Sequence, residues 1–368
     1  MRSLKTWLIV AGSLALLAIG FLFLKLPTPA VSVAAETVTE VGPLKVTNTI
    51  IAGWLVIGVI MVLTWLATRN MQMVPGGVQN FVEAVLEWFL GLAQSIAGEK
   101  NGRKFFIPCC TIFLFVVVSN WMGLLPFYNQ IGKFESIHEV LEHNIHGKAE
   151  GEIVKGKTYS GVVFSGSTIT PAPPEVKIVV PDKLTVKEHE EFFEKELEAQ
   201  LEKEHQPPDA KVGLLVGFFR STNTDLNMSL ALAIMSAIFV ESWGFGALGL
   251  GYLGKFFAFG ALKKGPMGVI DIFVGILEFI AELGRLISFT FRLFGNIFAG
   301  EILLFVMAFL MPLLISVPFY GLELFVGLIQ GLVFSLLTLL FGVIAVTTHH
   351  ADDEHGEGAS SGHVADHG

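Results

Sequence analysis

Cysteine and charge are both scarce in this sequence of 368 residues. The two cysteines, Cys109 and Cys110, are adjacent within an apolar run, which favours simple packing over a disulfide framework or a metal site. Only 15% of the residues are charged, against about a quarter in soluble domains. The formal net charge of -9 argues against a nucleic-acid partner. The sequence predicts no metal and no cofactor.

Hydrophobic residues, by contrast, make up 52% of the chain and gather into long runs. A membrane-spanning helix needs about 20 apolar residues, so the runs predict an all-α integral membrane protein. We expect about five to six membrane helices, including a long tilted hairpin. One interfacial amphipathic helix and an extracytoplasmic α+β insertion complete the expected fold.

The first apolar run, Trp7 to Leu24, follows the basic residues Arg2 and Lys5. The small residues from Val31 to Ala35 resemble a signal-peptide cleavage site. Residues 1–35 are therefore predicted to be either a signal peptide or an extra N-terminal membrane helix, and the sequence favours neither alternative.

Residues 48–127 are predicted to form a membrane helix, an interfacial amphipathic helix and a second membrane helix. The two spanning runs are Thr49 to Leu66 and Phe105 to Leu125. Between them, Val78 to Ala97 mixes acidic and amide side chains with large apolar ones, a pattern typical of a helix that lies at the membrane surface.

Hydrophobicity falls sharply over residues 128–223, which are predicted to be a polar insertion. The insertion contains a strand-like run from Val176 to Val180. It also contains a highly charged helix from about Lys187 to His205, which Pro207 and Pro208 terminate. The acidic side chains are expected to lie on a solvated surface.

Lysine and arginine in the short loops indicate the orientation in the membrane. Arg69, the group from Lys100 to Lys104 and the group from Lys255 to Lys264 are all expected on the cytoplasmic side. The insertion is then extracytoplasmic. The tail, residues 349–368, is expected to be cytoplasmic and disordered, with solvated His and acidic residues rather than a metal site.

Residues 224–348 are predicted to contain a membrane helix followed by the long tilted hairpin. The first arm, Met267 to Met311, has 45 residues. At about 1.5 Å per residue it is roughly twice as long as the ~30 Å hydrocarbon layer is thick. The second arm, Phe319 to Val346, is also overlong, so both arms must tilt. Such a hairpin suits a curved neighbouring surface.

Ionisable side chains in the first arm predict a function, because charges at membrane depth are costly. Successive residues of an α-helix are turned by about 100° around its axis. With this spacing, six polar residues lie within roughly 80° of Arg292 around the helix, whereas Glu301 lies on the opposite side. The six are Asp271, Glu278, Glu282, Arg285, Ser288 and Asn296. A structural ion pair explains Asp271, Glu282 and Arg285 equally well, and helix–helix hydrogen bonding explains Ser288 and Asn296 equally well.

Arg292 differs because no acid stands three or four residues from it on the same helix, so its partner is expected elsewhere. A guanidinium does not relay a proton by losing one, yet it attracts a carboxylate that has just lost its proton. Two aqueous routes are predicted on either side of it. One enters from outside past Glu301 and Glu323, and the other leaves inward past Glu278.

The segment from Arg292 to Glu301, RLFGNIFAGE, resembles the signature of subunit a of the F-type ATP synthase. Glu278 and Ser288 stand at the same distance before the arginine as the corresponding residues of that family. Gln330 stands where the last helix of the family carries glutamine. Thr224-Asp225-Leu-Asn227 matches the start of the helix before the hairpin. The resemblance covers about residues 48–127 and 223–349.

The resemblance implies a stator subunit of the Fo sector beside a rotating ring of c subunits, in a bacterial inner membrane. Subunit b and other ATP synthase subunits would be further partners, and this chain would hold no ATP site. Arg292 would pair with the deprotonated ring carboxylate and block a direct leak. The remaining implied proton-translocation residues are Asn296, Glu301, Glu323 and Gln330 on the outer route and at the meeting point, Glu278 on the inner route, Ser288, and Asp225 at the outer mouth.

Some features depart from the family pattern. Glu323 stands where relatives often carry histidine, Leu286 stands where they often carry proline, and the insertion is no ordinary part of the pattern. A proton-coupled secondary transporter that uses Glu278, Arg292 and Glu301 is the alternative, although no internal repeat is visible. A membrane-embedded enzyme would need clustered metal or nucleophile ligands, and no such spacing appears.

Overall fold

The computed structural model describes residues 37–41, 44–125, 131–145, 152–164, 175–205, 211–255, 266–310 and 316–347, and the single positions 12, 35 and 128. The described chain is mostly helical and divides into two compact units. The first unit takes the chain up to Ala52, then Met122–Ser221 and Phe298–Phe325. The second unit takes Gly53–Trp121, Thr222–Ile297 and the chain from Val326 onward.

Seven α-helices are present in the described residues. They are α1 (Asn48–Thr68), α2 (Gly77–Gly123), α3 (Ile137–Ile145), α4 (Val186–Lys203), α5 (Leu226–Leu248), α6 (Pro266–Leu310) and α7 (Ser316–Thr347). Of these, α1, α2, α5 and α7 are long and apolar enough to cross a membrane. Apart from the single positions 12 and 35, the predicted N-terminal segment and the tail lie outside the described residues, so the count of five to six membrane helices stays a prediction.

Helix α2 consists of two helices that meet at Gly98. This residue has φ 75° and ψ 167°, a conformation that glycine adopts without the strain that a side chain would cause. The break separates the predicted amphipathic run from the predicted spanning run, so both helices stand where the sequence places them. Whether the first of them lies at the membrane surface stays a prediction.

Two apolar clusters hold the second unit together. In one, the rings of Phe105 on α2 and Trp243 on α5 stack with centroids 4.2 Å apart. In the other, Phe289, Leu293 and Ile297 form a buried stripe at four-residue spacing on α6. Because this stripe faces inward, Arg292, one residue before Leu293, is turned about 100° away from it.

The insertion, in the first unit, is built on a four-stranded antiparallel sheet with strand order β3-β8-β5-β6. Its strands are β3 (Gly132–Ser136), β5 (Thr158–Phe164), β6 (Glu175–Val179) and β8 (Lys211–Gly217). The short strands β4 (Ile153–Val154) and β7 (Leu184–Thr185) pair separately. A hairpin of β1 (Thr37–Val41) and β2 (Leu44–Thr47), absent from the predicted fold, precedes α1.

Helix α4 packs on the insertion core through one apolar stripe, Phe193, Leu197 and Leu201, at four-residue spacing. Its buried His189 meets the hydroxyl of Tyr159 at 3.0 Å, so two core polar groups satisfy each other. The insertion therefore has its own core of helices and strands. Its predicted α+β character agrees with the structure, while its side of the membrane stays a prediction.

Candidate functional site

Arg292 is exposed on the surface of α6. Its Nη2 donates to Ser288 Oγ one turn earlier at 3.4 Å, and its guanidinium carbon lies 5.8 Å from the ring centre of Phe289. Among the described residues no carboxylate lies within 4.0 Å of Arg292. The structure therefore places the guanidinium on an open helix face without an ion pair in the described chain.

The other predicted residues of this helix face are also accessible. Ser288 and Asn296 are exposed, and Glu278 is half-buried. Because they share the face of Arg292, the polar stripe predicted from helical spacing is an outward-facing surface of the second unit. Asp271 lies on α6, but its side chain is outside the described residues.

Glu301, nine residues beyond Arg292 on α6, lies in a different environment. Its Oε2 accepts from Nη2 of Arg220 at 3.4 Å, and the two side chains are only 15% and 7% exposed. The guanidinium carbon of Arg220 also lies 6.0 Å from the ring centre of Phe298. Glu301 is thus a largely buried carboxylate with a counter-charge supplied from the end of the insertion.

Glu323 on α7 is buried, at 8% exposure. Its carboxylate occupies the space that a Cβ atom at Gly300 would need. The absence of a side chain at Gly300 therefore lets this carboxylate rest directly on the backbone of α6. Because Gly300 adjoins Glu301 in sequence, the structure brings both predicted outer acids and Arg220 to one part of the first unit.

Arg220 is the site residue that the sequence reasoning missed. It is the only basic residue between Lys211 and Lys255, and it lies on the predicted outer side, where the positive-inside tendency disfavours arginine. That isolated position is the signal that could have identified it. Its partner, 81 residues away in sequence, is beyond the reach of helical spacing.

Asp225 caps the N-terminus of α5, where its Oδ1 accepts from the backbone N–H of Asn227 at 2.9 Å. Close by, the amide of Asn223 donates to Asn120 Oδ1 at 2.7 Å. Asn120 in turn donates to the carbonyl of Gly327 at 3.1 Å. This buried amide chain fixes the start of α5 against α2 and α7, on the segment that carries Gln330, which is half-buried.

Glu282 and Arg285, whose role the sequence left open, form an ion pair with Oε1 and Nη1 2.7 Å apart. Ionisable side chains within membrane helices are costly and commonly mark proton or ion pathways. The second unit carries such a polar stripe, and the first unit carries two largely buried acids. A proton pathway is the chemistry that this arrangement supports.

A family model of the ATP synthase A chain matches residues 50–170 and 208–342. The chain belongs to this family. It is similar to ATP synthase subunit a of Gloeobacter violaceus, with 28% identity over 327 residues that cover 89% of this chain and 94% of the relative. The family membership that the segment RLFGNIFAGE predicts is confirmed.

Membership of the ATP synthase A chain family fixes the general role. The chain is a proton-translocating Fo subunit, a multi-pass plasma-membrane protein that works with the c ring and other ATP synthase subunits in ATP synthesis. The match resumes only at residue 208, so residues 171–207 are the unmatched part of the insertion. That part contains β6, β7 and α4.

Proposed function

We propose that this subunit provides two half-channels to the rotating c ring, with Arg292 as the barrier between them. The exposed, unpaired position of Arg292 within the described chain is the observation that carries the proposal. An arginine in an apolar helix is costly unless it meets a countercharge, so its surface position favours a carboxylate on a neighbouring subunit. The ring carboxylate in its deprotonated form is that partner.

The outer route passes Glu323, whose carboxylate is buried against α6 at Gly300, and Glu301, which lies on α6 and is largely buried. Asp225 lies at its mouth, and Asn296 and Gln330 lie where this route reaches the ring. The inner route leaves past Glu278, and Ser288 steadies Arg292 between the two routes through its hydroxyl. A proton therefore travels nearly a full turn on the ring, because Arg292 blocks the direct path.

The orientation that fits these routes places the basic loops in the cytoplasm. Residues 1–35 then precede the membrane core as a signal peptide or a further helix. The insertion, residues 128–223, is extracytoplasmic, and residues 349–368 form a cytoplasmic tail. Subunit b of the stator stalk is a direct partner, and the long arms α6 and α7 tilt along the curved ring.

The test combines purification of the intact complex with a proton-pumping assay in inverted membrane vesicles. Uptake that stops with a ring-directed inhibitor supports a stator role, whereas uptake that persists favours a solute-coupled transporter. Arg292→Ala is expected to abolish proton-driven ATP synthesis while the complex remains assembled.

The matched control is Arg103→Ala. Arg103 is an exposed arginine that pairs with Glu99 at 3.5 Å in the same unit, so its loss removes a cation without removing the barrier. Wild-type synthesis in the Arg292→Ala complex would overturn the proposed function, as would an equal loss in both variants.

A further inference from the structure

Asn48 lies at the junction of the β1–β2 hairpin and α1, in the first unit, and its side chain is buried at 1% exposure. Asparagine at the start of a helix commonly caps that helix through its side-chain oxygen. Here Oδ1 accepts no hydrogen bond from the described residues. Nδ2 donates instead to the carbonyl of Gly217 at 3.3 Å, 169 positions away in sequence. The buried amide therefore holds a distant segment rather than its own helix.

Gly217 is the last residue of β8, the strand that leads to Arg220. Strand β8 pairs with β3 as far as Gly217, whereas its pairing with β5 covers only Lys211–Gly213. Within the described sheet, the end of β8 therefore has a neighbouring strand on one side only. A buried backbone carbonyl without a partner is costly, and the Asn48 amide provides that partner.

Both residues that follow β8 are also held before the chain reaches Arg220. The backbone N–H of Phe218 donates to the carbonyl of Ile131 at 2.9 Å. The ring of Phe219 packs on the ring of Tyr128, with centroids 5.9 Å apart. Because neither residue is free to absorb a displacement, a shift at the end of β8 would pass on to the arginine.

The contact of Arg220 with Glu301 is sensitive to such a shift. The 3.4 Å between Nη2 and Oε2 is long for a hydrogen bond between charged groups, which is typically about 2.7–2.9 Å. A further displacement of about 1 Å would break it. Arg220 also lies over the ring of Phe298, and the carboxylate of Glu323 rests on Gly300, the neighbour of Glu301. The position of one guanidinium therefore affects both outer acids.

We propose that Asn48 is a positioning residue for the Arg220–Glu301 pair and that it connects the insertion sheet to the outer proton route. The proposal rests on the proposed function, because it concerns the outer route. By holding the end of β8, the Asn48 amide keeps the guanidinium within hydrogen-bonding distance of the Glu301 carboxylate. Asn48 itself does not carry the proton. The insertion acts on proton entry through β8, which determines where the charge of Arg220 lies.

The test variant is Asn48→Leu, because leucine has the same arrangement of heavy atoms without the amide donor. Passive proton conductance is measured in inverted vesicles after the catalytic sector is removed, with the pH varied on one side at a time. We expect the conductance per assembled complex to fall about threefold to tenfold, since small displacements slow proton transfer. We also expect its dependence on extracytoplasmic-side pH to shift, while its dependence on cytoplasmic-side pH stays as in the wild type.

A second substitution distinguishes positioning from general destabilisation. Glu301→Gln removes the charge that Arg220 meets, so the position of the guanidinium should matter less in that background. There we expect Asn48→Leu to lower conductance by less than about twofold, because residues that act through one contact are not additive. Equal fold reductions in both backgrounds would mean that Asn48 acts through stability alone, and would overturn the proposal.

Amide hydrogen exchange in the purified complex provides a measurement that does not depend on proton flux. Asn48→Leu is expected to accelerate exchange at Phe218, the first residue after β8, because the end of the strand opens more often. Exchange at the wild-type rate would overturn the proposal, since β8 would then be held without the asparagine.

The matched control is Asn70→Leu, at an exposed asparagine just beyond the other end of α1, which is expected to leave both pH profiles unchanged. A wild-type extracytoplasmic-side profile in assembled Asn48→Leu complexes would overturn the proposal, as would an equal change in the control. If Asn48→Leu does not assemble, Asn48→Ala decides by the same measurements. Arg292→Ala, in vesicles that retain the catalytic sector, separates the two proposals. Synthesis in that variant overturns the proposed function, while its loss beside a wild-type Asn48→Leu profile overturns only the role of Asn48.

Discussion

Gly300→Ala tests whether the position of the Glu323 carboxylate controls proton uptake. Gly300 lies inside α6, where the added methyl group would overlap the Glu323 carboxylate. The overlapping atoms are the far end of a flexible side chain, so Glu323 can turn away without disturbing either helix. The substitution therefore displaces one carboxylate of the proposed outer route and leaves the fold intact.

The opposing energies can be estimated. Alanine is favoured over glycine in a helix interior by about 1 kcal/mol. Moving a side chain off its preferred rotamer costs about 0.5–1.5 kcal/mol. The two effects nearly cancel, so assembly and heat stability of the complex should stay close to wild type. Proton transfer is less tolerant, because a displacement of about 1 Å can reduce the rate roughly 100-fold.

The assay is ATP-driven proton pumping and passive proton conductance in inverted vesicles, normalised to the amount of assembled complex. We expect Gly300→Ala to lower both by between about tenfold and 100-fold. Gly321→Ala on α7 is the control, because a Cβ atom there meets nothing within 4 Å. Adding Glu323→Asp to Gly300→Ala should restore part of the flux, since the shorter side chain fits beside the new methyl group. Equal flux in the Gly300 and Gly321 variants would refute the reasoning.

Four further outcomes are expected. Arg292→Lys should abolish proton-driven synthesis, because a lysine in an apolar site can lose its proton and leak; synthesis at the wild-type rate would count against the barrier. Arg220→Gln should lower both assembly and flux, because a buried carboxylate without its counter-charge costs about 3–5 kcal/mol, and Arg220→Lys should retain more of each. Glu301→Gln should slow flux and change its pH dependence, which a pH series of pumping assays would detect. In the insertion, hydrogen bonds from the backbone and side chain of Thr185 lower the pKa of Glu188, so the capping box stabilises α4 above the ordinary glutamate pKa and weakens as the pH falls through the lowered value. Amide exchange at the start of α4 should accelerate there. Thr185→Ala should weaken that pH dependence without abolishing it, because the backbone N–H of residue 185 still donates to Glu188.

The long helices could be read from the sequence because their signals are local. An apolar run with prolines at its ends predicted Met267 to Met311, and the structure has α6 at Pro266–Leu310. The same local logic found α4 from its charged run and terminal prolines. Helical spacing also predicted that Ser288 shares a face with Arg292, and the two side chains hydrogen-bond one turn apart.

The contacts that shape the site could not be read in this way, because they join residues distant in sequence. Arg220 and Glu301 belong to segments that helical periodicity treats separately. The contact of the Glu323 carboxylate with Gly300 depends on how α7 packs on α6, and the sequence of either helix does not specify that packing. The strand pairing of the insertion sheet could not be predicted for the same reason, since β3 pairs with β8 across most of the insertion.

Arg220, Arg285 and Arg292 differ in one respect that bears on the proposed mechanism. Arg220 is buried against Glu301, and Arg285 is paired with Glu282, so each charge is already met within the chain. Arg292 is exposed and makes no ion pair in the described part of the chain. A cation that is already neutralised gains little from a passing carboxylate, whereas one that is not can attract it and release it as the ring turns. Among the three, only Arg292 combines a fixed positive charge with the freedom to exchange partners.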